Sequence, residues 1–402
     1  MTIRKEFLMP KFAKRMDNLK ASEIRELLAL TADPSIISFA GGLPAAELFP
    51  IDKWIEASNK VMKNNGAAAL QYGPTDGYAR LREHCVTRME KVGCKDVKPE
   101  DIQILSGSQQ GLDFVPRIFI DPGDYIVVES PTYLGALNAF KAYEPRFLQV
   151  ALDEDGMILE DLEKQLKSHD NVKFIYVISD FQNPSGKTWT LERRKGLIEL
   201  ANKYDVMILE DNPYGELRFE GEIQPSLRSL DTENRVIFMG TFSKIFSPGI
   251  RVGWFNAAPK VLEKFNMVKQ GADLQTSTTT QMILSQFLDD NDLEAHIDKI
   301  IEVYGKRKNV MVDAMKKYFP EKVTYTNPEG GLFLWVTLPE GLNARDIAVK
   351  AIEKKVAFVP GGAFYPDSPE ENHFRLNYSC MPEDKIEEGI KRLGEVLHEV
   401  VK

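Results

Sequence analysis

A lysine, two hydroxyl residues and an arginine follow one apolar stretch of this sequence. The stretch RVIFMG (235–240) has the composition of a buried strand, and TFSKIFSPGIRVGW (241–254) comes directly after it. Lys244 beside Ser243 and Arg251 would place a nucleophilic amine next to an anion site, because a guanidinium binds phosphate through two parallel hydrogen bonds. The alternative is an exposed loop with a solvated lysine. Taken alone, the stretch favours this second interpretation.

Two other apolar stretches also end in small or polar residues. IQIL (102–105) precedes SGSQQ (106–110), and KFIYVI (173–178) precedes NPSG (183–186) by a few residues. Ser108 and Gln109 at a helix start would leave backbone N–H groups free for a phosphate, or the serines would only cap the helix. Asn183 would direct its amide at a ligand oxygen, or the segment is only a turn.

A pair of carboxylates follows a fourth apolar stretch. VMIL (206–209) precedes Glu210 and Asp211, with Tyr214 three residues further on. An acid at the end of a buried strand is unfavourable without a partner, and a positively charged ring nitrogen would be such a partner. A helix cap or a salt bridge would serve as well. The pattern does not choose between Glu210 and Asp211.

These groups together match the needs of one cofactor. In open α/β sheets the ligand lies beyond the carboxyl ends of the strands, so all four sets of side chains would meet at one edge. A pyridoxal phosphate site needs a lysine for the covalent link, a carboxylate for the pyridine nitrogen, donors to the phenolate oxygen and a phosphate cradle. The set therefore predicts pyridoxal phosphate. The five scattered histidines have no metal-ligand spacing, so no protein-built metal site is expected.

The elements that would position these groups alternate along the chain. From about residue 100, short apolar strands alternate with helical segments, which predicts an α/β fold with a mostly parallel sheet covered by helices. After about residue 290 a long charged helix precedes strands at GGLFLWVTLP and FRLNYS and a final helix. We expect a large domain at 51–290 and a smaller α+β domain at 291–402. Residues 1–50, with a helix at 20–31, would pack with the smaller domain.

The composition of the chain argues against several classes of function and location. A net charge of −9 argues against nucleic-acid binding, which needs a basic face. The sequence contains no run of roughly 18 apolar residues, so no membrane span is predicted. The basic N-terminus lacks the apolar core of a signal peptide. Three cysteines without C-x-x-C spacing suit a reducing compartment, so a cytoplasmic location is expected.

The whole chain resembles a known enzyme family. It is similar to the fold type I, class I/II pyridoxal-phosphate aminotransferases, and most of all to the subgroup of 2-aminoadipate aminotransferase and kynurenine aminotransferase II. The motifs that carry the resemblance are SFAGGLP (38–44), LQYGPTDGYARLR (70–82), SGSQQGLD (106–113), ESPTYLGAL (129–137), FQNPSGKT (181–188), EDNPYGEL (210–217), TFSKIFSPGIRVGW (241–254), NPEGGLFLW (327–335), VPGGAFYP (359–366) and FRLNYS (374–379).

The resemblance implies a role for each candidate residue. Lys244 would carry the cofactor and move the proton, Asp211 would pair with the pyridine nitrogen, and Tyr133 would stack on the ring. Asn183 and Tyr214 would donate to the phenolate oxygen, and the phosphate would be held by Ser108, Gln109, Ser243 and Arg251. Tyr72 would reach the phosphate of the other subunit of a homodimer. The substrate α-carboxylate would be bound by Arg375 with help from Asn183 and Gly42.

The resemblance also implies an activity. It is the transfer of an amino group from an L-amino acid to a 2-oxo acid such as 2-oxoglutarate. Arg25 matches a position that binds acidic side chains in the 2-aminoadipate enzymes, and its alternative is a solvated helix arginine. Broad specificity for 2-aminoadipate, glutamate, aromatic and leucine-like amino acids is expected. The alternatives are a C–S lyase or decarboxylase on the same fold, or a non-catalytic aminotransferase-like regulator.

Overall fold

The computed structural model describes residues 11–18 and 33–401 of the chain. Within these ranges the strands are β1 (Ile37–Ser38), β2 (Ile102–Leu105), β3 (Tyr125–Ser130), β4 (Arg146–Ala151), β5 (Val172–Val177), β6 (Met207–Asn212), β7 (Val236–Thr241), β8 (Gly253–Asn256), β9 (Thr324–Tyr325), β10 (Phe333–Thr337), β11 (Val356–Ala357), β12 (Val359–Pro360) and β13 (His373–Asn377).

The α-helices of the same ranges carry most of the remaining chain. They are α1 (Ile51–Ala69), α2 (Ala79–Lys91), α3 (Ser108–Phe119), α4 (Leu134–Lys141), α5 (Leu159–Ser168), α6 (Leu191–Tyr204), α7 (Leu227–Leu230), α8 (Pro259–Ala272), α9 (Thr278–Asp290), α10 (Leu293–Tyr318), α11 (Ala344–Glu353) and α12 (Glu383–Val400). Short 3-10 turns occur at Lys14–Asn18, Ala46–Leu48, Pro99–Asp101, Pro248–Ile250 and Gly361–Phe364.

Seven strands form the central sheet. Their order is β2-β8-β7-β6-β5-β3-β4, and β8 runs antiparallel to both of its neighbours while the other pairs are parallel. The predicted α/β fold class with a mostly parallel sheet is thereby confirmed. The antiparallel β8 was not predicted, because its four residues, GWFN, include a glycine and an asparagine, which are uncommon in strands.

Most positions of the central strands are apolar because both faces of the sheet are covered. On β5, Phe174 and Tyr176 belong to one hydrophobic core, whereas Ile175 and Val177 belong to a second core on the opposite face. Successive side chains of a strand point to opposite faces, so a strand buried on both sides has no polar alternation. This is the physical origin of the continuous apolar runs in the sequence.

A second sheet lies in the C-terminal part of the chain. It is antiparallel with the order β12-β13-β10-β9, and α10 packs along α12 beside it. β1 pairs in parallel with β11, so the segment before α1 is joined to this C-terminal part. The domain boundaries at residues 50 and 290 stay a prediction. The helix predicted at 20–31 lies outside the described residues.

The ends of several elements agree with the sequence patterns. The run LERRKGLIELANKY coincides with α6, whose N-cap Thr190 accepts a hydrogen bond from the Arg193 amide. β4 and α11 were not predicted, although the buried residues Ala344, Ile347, Ala348 and Ala351 of α11 recur at helical spacing and Leu148 and Val150 of β4 alternate with less buried residues. Among the described residues, no helix combines the length and the apolar character that a membrane crossing requires.

Candidate active site

A pocket of about 300 Å³ opens at the carboxyl edge of the central sheet. Its lining comes from residues at or after the ends of β2, β3, β5, β6 and β7, from Gly42 after β1, and from the second sheet. The lining residues are Gly42, Ser108, Gln109, Leu112, Tyr133, Leu134, Ile178, Asn183, Asp211, Pro213, Tyr214, Thr241, Ser243, Lys244, Pro248, Arg251, Phe333 and Arg375.

Lys244 projects into this pocket from the turn after β7. Its Nζ donates a hydrogen bond to the Gly42 carbonyl oxygen at 2.8 Å. Desolvation lowers the pKa of Lys244 to about 8, and the positive charges of Arg375 and Arg251 act in the same direction. The neutral, nucleophilic form of this amine is therefore far more populated near neutral pH than that of an ordinary lysine.

Asp211 and Glu210 lie on opposite faces of the sheet. Asp211 lines the pocket, and its Oδ2 accepts a hydrogen bond from the Tyr176 hydroxyl at 2.9 Å. Glu210 instead accepts from the backbone amides of Leu227 and Arg228 at 2.8 and 2.9 Å. Because successive side chains of a strand point to opposite faces, Asp211 lies in the pocket and Glu210 does not.

The Asp211 carboxylate is buried and incompletely paired. Its Oδ1 has no hydrogen-bond partner among the residues of 11–18 and 33–401. Burial raises the pKa of Asp211 to about 7, while the Tyr176 hydrogen bond and the charge of Lys244 lower it. A buried acceptor without a partner is unfavourable, so this oxygen is suited to a cationic or N–H donor of a bound group.

Arg375 is held in place on the second-sheet side of the pocket. Its Nη1 donates to Asn183 Oδ1 at 2.7 Å and its Nη2 donates to the Ala40 carbonyl oxygen at 2.8 Å. The guanidinium lies over the rings of Phe333 and Phe364, with distances of 4.1 and 5.0 Å to the centroids. Burial lowers the pKa of Arg375 to about 10, so the group remains a cation at neutral pH.

An anion-binding corner is formed by other residues of the same pocket. The first turn of α3 presents Ser108 and Gln109, and Ser243 and Arg251 line the same pocket. Gly107 precedes the helix with φ of 80°, and a Cβ there would overlap the Arg251 guanidinium. A helix N-terminus beside a guanidinium attracts phosphate.

Comparison with known proteins agrees with this geometry. Residues 35–393 match the family model described as aminotransferase class I and II. The chain is 47% identical to the aromatic-amino-acid aminotransferase 1 of Thermococcus litoralis, over 97% of this chain and 95% of that protein. The chain belongs to the class I and II aminotransferases.

Solved structures support the same assignment for this aminotransferase. The kynurenine aminotransferase of Pyrococcus horikoshii superposes with a TM-score of 0.93 at 44% identity, covering 97% of this chain and 98% of that one. The α-aminoadipate aminotransferase LysN of Thermus thermophilus, complexed with N-(5'-phosphopyridoxyl)-L-leucine, superposes with a TM-score of 0.90 at 40% identity. The coverage in that second comparison is 96% of this chain and 97% of that one. Pyridoxal phosphate is the cofactor of the family and of this enzyme.

The pocket has the chemistry that this cofactor requires. The unpaired Oδ1 of Asp211 is a buried acceptor for a protonated ring nitrogen, and the start of α3 with Arg251 forms a cradle for a phosphate. Lys244 supplies an amine of lowered pKa in the same cavity. These observations come from the aminotransferase itself and fit the predicted cofactor.

The structure brings most of the predicted site residues together. Eleven of the thirteen line the pocket: Gly42, Ser108, Gln109, Tyr133, Asn183, Asp211, Tyr214, Ser243, Lys244, Arg251 and Arg375. Tyr72 does not line it, and its side chain is 80% exposed in the single chain. Arg25 lies outside the described residues.

Sequence reasoning missed other members of the site. Phe333 contacts Arg375 and also packs edge-on against Tyr214, with ring centroids 5.9 Å apart. Tyr176 reaches Asp211 from β5. Its side chain lies on the same face as Asp211 of the neighbouring strand, so strand alternation was the signal that would have identified it.

A larger cleft does not contain this chemistry. It measures about 970 Å³, and its lining includes Lys187, Arg218, Trp335 and His373. Lys244, Asp211 and Arg375 all line the smaller pocket. We therefore place the active site by its functional groups and not by cavity size.

Proposed function

We propose that this aminotransferase has broad specificity and takes amino groups from 2-aminoadipate, glutamate, aromatic and leucine-like L-amino acids. The acceptor is a 2-oxo acid such as 2-oxoglutarate. The observation that carries the proposal is the Arg375–Asn183 pair at 2.7 Å in the pocket that also holds Lys244. The pair offers a carboxylate site in the same pocket as Lys244 and the anion-binding corner.

The names of similar proteins support the range of donors. They describe an aromatic-amino-acid aminotransferase, a kynurenine aminotransferase and an α-aminoadipate aminotransferase with a leucine adduct. The lining of this pocket suits such a range, because it combines Leu112, Leu134 and Phe333 with cationic groups. Apolar contacts of this kind discriminate weakly between side chains of different shape.

Lys244 does the proton transfer in this proposal. When bound, pyridoxal phosphate supplies an aldehyde for amines and a ring that accepts the electron pair left on the α-carbon. Lys244 Nζ, freed by the incoming amino acid, removes the α-proton as a general base and later returns a proton. Its lowered pKa near 8 makes the free amine accessible at neutral pH.

The other residues of the site bind and orient the substrate and the cofactor. Arg375 holds the α-carboxylate, with Asn183 fixing the guanidinium and Gly42 forming the adjacent wall. Asp211 would stabilise a positive charge on the ring nitrogen, and Asn183 and Tyr214, whose polar atoms lie 3.5 Å apart, would donate to the phenolate oxygen. Tyr133 would cover the ring, and Ser108, Gln109, Ser243 and Arg251 would hold the phosphate, since all five line the pocket.

The active unit in this proposal is a homodimer. Tyr72 is exposed in the single chain, next to the exposed Leu70 at the end of α1. In the dimer, Tyr72 reaches the phosphate bound by the other subunit. Each of the two sites is then complete only when both subunits are present.

Absorbance spectroscopy tests the activity. The purified enzyme with pyridoxal phosphate is expected to be yellow, to bleach on stoichiometric L-glutamate without a 2-oxo acid, and to recover on 2-oxoglutarate. Lys244→Ala is expected to abolish multiple turnover but to keep measurable cofactor binding, with the exposed Lys164→Ala as the matched control. A yellow enzyme that no amino acid bleaches, or turnover in Lys244→Ala, would contradict the proposal.

A substrate panel tests the specificity. If Arg25 recognises an acidic side chain, Arg25→Ala lowers kcat/KM for 2-aminoadipate and glutamate much more than for phenylalanine or leucine. Equal losses for acidic and aromatic donors would argue against an acid-specific role.

A further inference from the structure

Tyr176 is a buried tyrosine whose hydroxyl contacts Asp211 directly. The hydrogen bond to Asp211 Oδ2 measures 2.9 Å, and both residues are almost completely buried. In the parallel pairing of β5 and β6, Tyr176 lies opposite Leu209. Asp211 is two residues further along β6 and thus on the same face of the sheet.

The position of the Tyr176 ring is fixed by packing. Phe140 of α4 meets it edge-on with centroids 5.4 Å apart and an interplanar angle of 84°, and Val128 of β3 is its partner on the other neighbouring strand. Burial and the nearby Asp211 raise the pKa of Tyr176 well above its usual value. The hydroxyl therefore stays protonated and donates its hydrogen to the carboxylate.

The charge of Asp211 depends on few neighbours. Burial raises its pKa, and Tyr176 and Lys244 oppose that effect. Other titratable groups that interact with it are Glu129 of β3, Tyr133 at the start of α4 and Tyr214 after β6. Of these groups, Tyr176 donates a hydrogen bond to the carboxylate, so its loss would be felt directly at the Asp211 oxygens.

We propose that Tyr176 is a positioning residue that keeps Asp211 ionised and turns its free Oδ1 toward the pocket, and thereby keeps the ring nitrogen of the cofactor protonated. This inference rests on the proposed role of Asp211. Without the Tyr176 hydrogen bond, the carboxylate is a stronger base, and the proton it shares with the ring nitrogen moves onto the carboxylate oxygen. A neutral ring accepts electrons less well, so removal of the α-proton slows.

The test compares two tyrosines that make the same kind of bond. Tyr176→Phe removes the bond to Asp211, and Tyr204→Phe removes a 2.9 Å bond from the Tyr204 hydroxyl to Glu163, which does not line the pocket. Each enzyme is loaded with pyridoxal phosphate carrying ¹⁵N at the ring nitrogen, and the ¹⁵N chemical shift is measured by NMR. In Tyr176→Phe we expect a shift toward neutral pyridine and a kcat lower by about 10- to 100-fold, with little change in KM. Tyr204→Phe is expected to keep the wild-type shift and kcat.

Asp211→Asn separates this inference from the proposed function. If Asp211→Asn moves the ¹⁵N signal and Tyr176→Phe does not, the role of Tyr176 is refuted while that of Asp211 stands. If neither variant moves it, the proposed role of Asp211 fails as well. A Tyr176→Phe enzyme with a wild-type ¹⁵N signal and a kcat reduced 100-fold would also overturn the inference.

Discussion

At the scale of single residues, the pocket changes the acidity of the groups it contains. Lys244 and Arg375 both have lowered pKa values, and Asp211 has a raised one, with burial as the leading cause in each case. Removal from water disfavours the charged form of every one of these groups. The site therefore holds a lysine amine and a carboxylate that titrate close to neutral pH.

The lowered pKa of Lys244 predicts how the cofactor-free enzyme captures pyridoxal phosphate. Only the neutral amine is a nucleophile, and with a pKa of about 8 it is protonated below that pH and neutral above it. We expect the capture rate, followed by visible absorbance, to rise with pH and level off above pH 8. Free Nα-acetyl-lysine is the control and should keep rising toward its pKa of about 10.4. A capture rate that follows the control would show that the amine is not perturbed.

Arg375 is expected to contribute to substrate binding through its charge and its fixed geometry. Arg375→Ala leaves the substrate carboxylate unpaired in a buried site, which should cost roughly 2–5 kcal/mol in kcat/KM for glutamate. Arg392→Ala on α12, which removes an ion pair with Glu388, is the matched control. Steady-state kinetics measure both variants, and a near-wild-type value for Arg375→Ala would refute the role.

At the scale of elements, a buried ion pair fixes the segment that carries Asn183. Arg194 of α6 contacts both carboxylate oxygens of Asp180 at 2.7 and 3.1 Å, and it also donates to the carbonyl oxygens of Ser179, Trp189 and Pro225. Asp180 lies between β5 and Asn183. This network ties α6 to the strand end that forms the pocket.

Breaking this pair is expected to destabilise the fold. Arg194→Met leaves Asp180 as an uncompensated buried charge, which should lower the free energy of unfolding by about 3–5 kcal/mol. Urea unfolding measures the effect. In a double-mutant cycle, Arg194→Met with Asp180→Asn should cost less than the sum of the two single changes. Strictly additive losses would show that the two side chains do not depend on each other.

At the scale of the whole molecule, several large hydrophobic side chains are exposed in the single chain. Ile51 and Ile55 of α1, together with Leu70, Tyr72 and Leu274, are large hydrophobic residues exposed to solvent in the single chain. Exposed apolar groups of this size mark interaction surfaces when they cluster. A homodimer would cover them and bring Tyr72 to the other subunit.

The proposed dimer predicts a mass and a way to disrupt it. Light scattering should give about twice the 45.6 kDa of one chain. Leu70→Asp should shift the enzyme toward monomer and weaken cofactor binding, because a charge is then buried at the interface. Val349→Asp is the matched control, since Val349 is exposed on α11. A fully active wild-type monomer would refute the proposed assembly.

The sequence by itself determined the fold class and the kinds of groups in the site. Continuous apolar strands indicated a sheet covered on both faces, and the polar residues that follow them indicated one shared edge. Local patterns of this kind are sufficient for these two predictions, because the burial of a strand and the residues at its end are both visible in a short segment of sequence. The runs before Ser106, Asp211 and Lys244 are the clearest cases.

Only the tertiary structure decided which atoms meet. It separated Asp211 from Glu210, brought Tyr176 to Asp211, and placed Arg375 against Asn183, which lies 192 positions earlier in the chain. Such contacts depend on strand register and on the packing of two sheets, and neither is encoded in a local pattern. The raised and lowered pKa values follow from the same cause, because burial exists only once distant segments have closed over the pocket.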